Sequence, residues 1–372
     1  MKDVVLVGGG LANGLLADRL LAADPSLDLV MLEAAPEPGG NHTWSFHHGD
    51  VPAETFTWLE PWVSRSWEGH DVYFPSRWRA LGGRYHSVRS EDFARRVRTL
   101  LGPRLRTSTS VKHVAMDHVV LGDGERLDAR LVIDARGFLH PRTAPCGWQK
   151  FLGLELTLAA PHGLVRPLLM DATVEQLDGF RFLYALPWDE RRVLVEDTRY
   201  SDDARVDREA FEATVRAWVS GRGWTIASVD REECASLPIP LEQTVPHFDV
   251  PTLGVAGGFF HTTTGYSLPF AARLAEQVTK SPLRSAAVLE LLRTEARAHH
   301  REMGFFRVLN RMLFRGAAPA TRVRIFDSFY EHPEPLIERF YAGRLTFADK
   351  LAALRRGAPT VPLGRAMRAV FT

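Results

Sequence analysis

Cysteine is almost missing from this 372-residue chain: Cys146 and Cys234 are the only two, 88 positions apart. They allow at most one bridge. With no CxxC pair, a disulfide scaffold and a cysteine zinc site are both excluded, and a reducing, cytoplasmic compartment is expected. Lysine is scarce as well, five residues against 41 Arg. Codon bias is the favoured reading of that, and a choice of Arg for lipid phosphates is the alternative. No stretch approaches the roughly 18 apolar residues of a membrane-spanning helix. Met1-Lys2-Asp3 and the four apolar residues after it are too short for a signal-peptide core. There is no internal repeat, no low-complexity segment and no histidine or acid spacing that suggests a metal. A net charge of +1 makes nucleic acid an unexpected partner, and 45% hydrophobic with 24% charged residues excludes intrinsic disorder. The length predicts about two domains.

Charge is unevenly spread. Residues 281–372 carry 16 Lys/Arg and 8 Asp/Glu, a net of +8, which leaves −7 for the first 280. A basic C-terminal quarter suits an anionic membrane surface.

The pattern along the chain predicts a strand over 3–7, a helix from the glycine turn to about Ala23 and a second strand over 28–32 ending at Glu33. Residues 34–89, rich in Gly, His and Trp, read as a long irregular segment. Ser90 is expected to cap a helix whose first turn holds Glu91 and Asp92. Strands follow over 104–133, with a turn at Asp123-Gly124, and LVIDARG (131–137) reads as a buried strand. Alternating strands are predicted over 151–200 and a helix over 203–220. LGVA (253–256) reads as another buried strand before a helix from Leu268. Beyond 281 the pattern is helical to the end, with breaks at Pro319, Pro333, Pro335 and Pro359. The fold class expected is therefore α/β: a Rossmann-like nucleotide-binding domain from 1–137 and 251–280, an inserted antiparallel-sheet domain over 138–250, and a helical region over 281–372.

The glycine turn carries the first chemistry. Gly8 and Gly10 take the first two places of GxGxxG, Asn13 stands at the third, and Gly14 follows it. Such a turn, with Leu11 and Ala12 opening a helix, lets backbone approach a pyrophosphate at a helix N-terminus. Glu33, 19 residues past Gly14, is placed to grip a ribose diol. The competing reading is a plain glycine turn between core elements. Three segments resemble flavoproteins and favour FAD over NAD: Gly39-Gly40 with Asn41 and His42; Ala135 and Gly137 at the end of LVIDARG; and GVAGGFFHTTTGYS before a helix. The last adds Gly257, His261, Thr264, Gly265, Tyr266 and Ser267 as expected cofactor contacts.

These stretches, with VLVEDTRYSDD, FRVLNRMLF and ERFYAGRLTFADKL, resemble the bacterial flavin-dependent lycopene β-cyclases over residues 8 to 351. Thr262 stands where that family commonly has Pro. The resemblance implies FAD in its reduced form with NAD(P)H as external reductant. It implies cyclisation of lycopene ends to β-rings, attachment to the inner membrane surface and other carotenoid-pathway enzymes as partners. A flavin monooxygenase or a prenyl or carotenoid reductase on the same fold is the alternative. Gly257-Gly258, where monooxygenases usually carry Gly-Asp, counts against the first of these. A non-catalytic flavoprotein that docks pathway enzymes is a further one.

Cyclisation needs a proton on a terminal alkene, a stabilised tertiary carbocation and removal of a different proton, with no net electron transfer. Glu196 in VLVEDT, flanked by Leu194, Val195 and Asp197, is the expected acid, since apolar surroundings and a neighbouring carboxylate raise a carboxyl pKa. A solvated strand end is the plain alternative for Glu196 and Asp197; the resemblance adds weight to Glu196. Asp197 beside it is the second expected catalytic group, and His261 the third, a hydrogen-bonding partner at the flavin edge. Trp44, Phe46, Tyr184, Trp188 and Phe260 are expected to line an apolar substrate tunnel, their faces able to steady a cation. Arg307, Arg311 and Arg315 recur every four residues and predict a basic stripe on a helix at a membrane interface. Packing of that helix on the core is the other reading.

Overall fold

A computed structural model describes residues 1–137, 145–242 and 245–357. The helical continuation expected to residue 372, with its break at Pro359, lies outside the described residues from 358 on. So does the start of the expected sheet domain, 138–144.

The chain opens with β1 (Lys2–Val7), α1 (Leu11–Ala23) and β2 (Leu29–Leu32), each within a residue or two of its expected place. The segment read as irregular is instead built: β3 (Thr43–His47), α2 (Ala53–Leu59), β4 (Arg65–Trp67), β5 (His70–Phe74), β6 (Arg77–Leu81) and β7 (Tyr85–Arg89). After it come α3 (Ser90–Leu101), β8 (Leu105–Arg106), β9 (Val111–Val114), β10 (His118–Leu121) and β11 (Arg126–Asp134). Ser90 is the first residue of α3 and makes no side-chain cap.

The long strands follow: β12 (Cys146–Leu158), β13 (Leu168–Asp171), β14 (Phe180–Pro187) and β15 (Arg192–Ser201). Then come α4 (Arg208–Gly221) and β16 (Ile226–Pro240). LGVA is not a strand. Gly254–Gly257 form a 3-10 turn, and only Thr252 bridges Asp134 of β11. The helices α5 (Leu268–Thr279), α6 (Ser285–Glu302), α7 (Gly304–Arg311), α8 (Arg322–Phe329), α9 (Glu334–Tyr341) and α10 (Phe347–Gly357) complete the described chain. A π-turn over Met312–Gly316 links α7 to α8.

The strands form three sheets. One has the order β8-β2-β1-β11-β10-β9, with β2, β1 and β11 parallel. α1 packs beside α5 and covers it, as a nucleotide-binding sheet requires. The second has the order β16-β12-β15-β14-β13-β5-β6 and is antiparallel except where β13 pairs parallel with β5. Two of its seven strands thus come from residues 70–81, outside the 138–250 span expected to supply it. A small sheet, β3-β7-β4, lies between.

Each face of the seven-stranded sheet buries different residues, because side chains alternate along a strand. Leu152, Leu183 and Val195 fill the outer face, covered by Phe211 of α4. The inner face, with Phe180, Phe182 and Tyr200, packs toward the helices and joins the main core.

Candidate active site

A cavity of about 610 Å³ lies between that inner face and helices α7 to α9, and it runs to the glycine turn of the parallel sheet. Strand register builds its floor. Tyr184 of β14 is paired with Glu196 of β15, Glu196 with Gly153 of β12, and Gly153 with Glu233 of β16. The next row, two residues on, is Phe182, Thr198, Phe151 and Ala235. Both rows border the cavity apart from Gly153, and Phe326, Phe329, Tyr330 and Tyr341 face them from the helices.

Glu196 is the one acid in the middle of this floor. Burial, the Glu233 carboxylate and the Asp197 carboxylate push its carboxyl up to about 8, while Thr198 donates a hydrogen bond to its Oε1. Next to it, Tyr184 shares a hydrogen bond with Tyr85, 3.1 Å, and Tyr85 with Tyr266, 2.7 Å. Burial pushes all three phenols up, Tyr85 to about 12, so they stay neutral donors and acceptors.

The other end of the cavity fits a dinucleotide. Gly8 has φ +93°, and a Cβ there would sit 2.8 Å from the Ala135 carbonyl oxygen. Around the Cβ position of Gly10 there is no atom within 4 Å, so a side chain there would project into space left open ahead of α1. Asn13 holds this turn from below, its Nδ2 donating to the Val7 and Gly8 carbonyls at 3.0 and 2.8 Å. Glu33 borders the cavity, its Oε2 and Oε1 accepting from the N–H groups of Gly9 and Ala35. Ser267 and Leu268, where α5 begins, open on the same space and aim a second helix N-terminus at it. A bare backbone cradle and two helix N-termini as donors, with a carboxylate as acceptor, are the groups an ADP-linked flavin requires.

The model of the family described as lycopene cyclase protein matches residues 3–368. A lycopene beta-cyclase of Pseudescherichia vulneris is 45% identical over 377 residues, covering 100% of this chain and 97% of the relative. One of Pantoea ananas is 41% identical over 375 residues, covering 100% and 98%. The chain belongs to the lycopene cyclase family. Its fold is shared with a geranylgeranyl bacteriochlorophyll reductase-like protein of Thermoplasma acidophilum, with a TM-score of 0.62 at 14% identity over 96% of each chain.

In this lycopene cyclase the expected site residues separate into two groups. Gly8, Gly10, Leu11, Ala12, Glu33, Gly39, Gly40, His42, Ala135, Gly137, Thr264, Gly265, Tyr266 and Ser267 border the cavity, as do Trp44, Tyr184 and Glu196. The others are placed elsewhere. Asp197 points to the opposite face of the sheet, where it is wholly buried between Arg181 and Arg199. His261 is buried behind the loop. Its Nδ1 faces the N–H groups of Thr263 and Thr264 and its Nε2 the Phe340 carbonyl. Those partners fix a neutral ring with the proton on Nε2, and burial pushes it down to about 3. Both nitrogens are spent on shaping the turn, so His261 orders the loop and offers no acid or base to the cavity.

Asn41 is exposed and binds the Glu232 carbonyl and Arg231. Phe46 packs on Phe56 and His86, and Trp188 on Trp67 beneath Arg89. Gly257 lies against Phe259, and the Phe260 carbonyl accepts from His299. The basic stripe also turns inward. Arg307 and Arg311 are buried, donating to the His300 and Leu241 carbonyls, and Arg315 pairs with Glu242. Helix α7 therefore packs on the core.

Sequence reasoning missed Glu233, Phe182, Thr198, Tyr200 and the aromatic residues of α8 and α9. Counting by twos from Glu196 gives Thr198 and Tyr200, and from Tyr184 gives Phe182. No comparable signal in the sequence aims α8 and α9 at the cavity.

Proposed function

We propose that this chain is a lycopene β-cyclase that closes the linear ends of lycopene to β-ionone rings, through γ-carotene to β-carotene, with no net oxidation or reduction. The observation that carries this reading is a buried carboxyl, Glu196, in the floor of an apolar cavity walled by aromatic rings. Glu196 gives its proton to the terminal alkene carbon. The tertiary cation closes onto the neighbouring double bond under the π-faces of Tyr184 and Phe326. The ring then loses a different proton, from the carbon next to the new cation centre, and the carboxylate accepts it, which restores the acid. Apolar lining keeps water from quenching the cation.

FAD is the proposed cofactor, held by the glycine turn, Glu33 and the loop Thr264–Ser267 and kept reduced by external NAD(P)H; when bound it supplies negative charge near the cation. Only the protonated form of Glu196 is active. Conversion is expected to be level at lower pH and to fall about tenfold per unit as pH rises past about 8. A rate profile with reduced holoenzyme checks this.

Among the described residues no helix is long and apolar enough to cross a membrane. The enzyme is proposed to meet the inner membrane at α10, where Phe347 is 84% and Leu351 41% exposed on one side and Ala353 borders the cavity. Changing Phe347→Asp with Leu351→Asp is expected to abolish co-sedimentation with anionic vesicles while leaving conversion in detergent micelles within about twofold.

The function itself is tested by expression in cells that accumulate lycopene, with the pigment identified by chromatography and mass. A cyclic product of unchanged mass is expected. A gain of two hydrogens or of oxygen would establish the reductase or monooxygenase instead.

A further inference from the structure

The floor of the cavity holds a second acid that the mechanism above does not use. Glu233 is 4% exposed and lies in the same cross-strand row as Glu196, with only Gly153 between them. A Cβ on Gly153 would sit 3.2 Å from Glu233 Cγ and 3.4 Å from Glu196 Cβ. Any larger residue there would wedge into the space over which the two acids converge.

Their partners differ. Glu233 Oε2 accepts from the Arg231 guanidinium at 2.8 Å and from the Thr43 hydroxyl at 3.1 Å. Among the described contacts, Glu196 receives only the Thr198 hydroxyl. Arg231 in turn is held by Glu155 and Glu91, and Glu155 also binds Arg89. The remaining groups that face Glu196 are neutral or spoken for. Tyr184 and Tyr200 are phenols on the same face; on the far face Cys234 is a thiol that burial pushes up, and the Asp197 carboxylate is paired with Arg181 and Arg199.

We propose that Glu233 is a positioning residue for Glu196: the two carboxyls hold one proton between them, the negative charge resting on Glu233 beside Arg231 and the proton on Glu196. Two adjacent buried carboxylates cannot both ionise at neutral pH, and the guanidinium decides which one does. Glu233 thus keeps the acid loaded without touching the reacting atoms. This inference rests on Glu196 being the acid.

The test is the pH profile of lycopene conversion by reduced, flavin-loaded Glu233→Gln. The alkaline limb is expected to move down by about one unit or more, with the rate at low pH restored to near wild type. Glu233→Asp, which keeps the charge, is expected to leave the limb in place. A limb that stays put in Glu233→Gln, with the rate lowered equally at every pH, would overturn the pair. Where Glu233→Gln does not fold, infrared titration of the wild-type holoenzyme decides. In the difference between wild type and Glu196→Gln, which cancels other buried acids such as Asp50, one protonated carboxyl that disappears near pH 8 supports it; two such carboxyls, or none, refute it. Full activity in Glu196→Gln would remove the acid itself. A dead Glu196→Gln with an unmoved Glu233→Gln limb would remove only the pairing.

Discussion

Replacing Glu196 by Gln is expected to abolish ring closure while leaving a folded, flavin-loaded protein. The substitution keeps the shape and the Thr198 contact but removes the carboxyl proton from the centre of the floor. General acid catalysis contributes about 10²- to 10⁴-fold, and an alkene is a far weaker base than the usual acceptor, so the loss belongs at the upper end. Because a buried, protonated carboxyl and an amide are both neutral, the change adds no buried charge and stability should hardly move. Pigment chromatography gives the activity, and flavin absorbance with thermal unfolding gives the integrity. Retention of more than about a tenth of wild-type conversion would show that another group supplies the proton.

One residue along, Asp197→Ala should do the reverse. Asp197 takes Arg181 at 3.0 Å and Arg199 at 2.9 Å, with the Thr214 hydroxyl as a third donor, and all of this lies beneath α4. Its loss leaves two buried guanidiniums without their counter-ion. Breaking a buried ion pair this way costs about 3–5 kcal/mol, a large share of the 5–15 kcal/mol by which domains are typically stable. A sharply lower Tm and poor soluble yield are expected. An unchanged Tm would mean that the two arginines find other acceptors. Adjacent acids in VLVEDT therefore divide the work, one facing the chemistry and one securing the sheet.

That division was half legible in the sequence. The apolar neighbours of Glu196 and the acid beside it pointed to a raised pKa, but Asp197 was expected in the same site, although adjacent residues of a strand face opposite ways. The parallel-strand opening, Glu33 and the helix from Leu268 were readable because each has a local signal: a glycine turn, a strand end, a proline in the first turn. Residues 34–89 hid their strands because these are three to five residues long and rich in His, Arg and Trp. LGVA misled because a short apolar run suits a buried turn as well as a strand. The spacing of Arg307, Arg311 and Arg315 correctly placed them along one stripe, but spacing does not tell inward from outward. The His300 carbonyl in α6 and the Leu241 carbonyl just past β16 receive two of them, a fact available only from the fold.

The parallel pairing of β5 with β13 bears on how the molecule can be taken apart. Met170 lines up with Val72, so a stretch laid down early in the chain forms the sheet's far border together with one laid down about a hundred residues later. An excised fragment starting after residue 137 would present β13 as a raw edge, with unsatisfied amides and apolar side chains inviting other copies to add on. Dissection, permutation or domain-swap engineering of this enzyme therefore has to carry the hairpin of residues 70–81 along with the strands it borders.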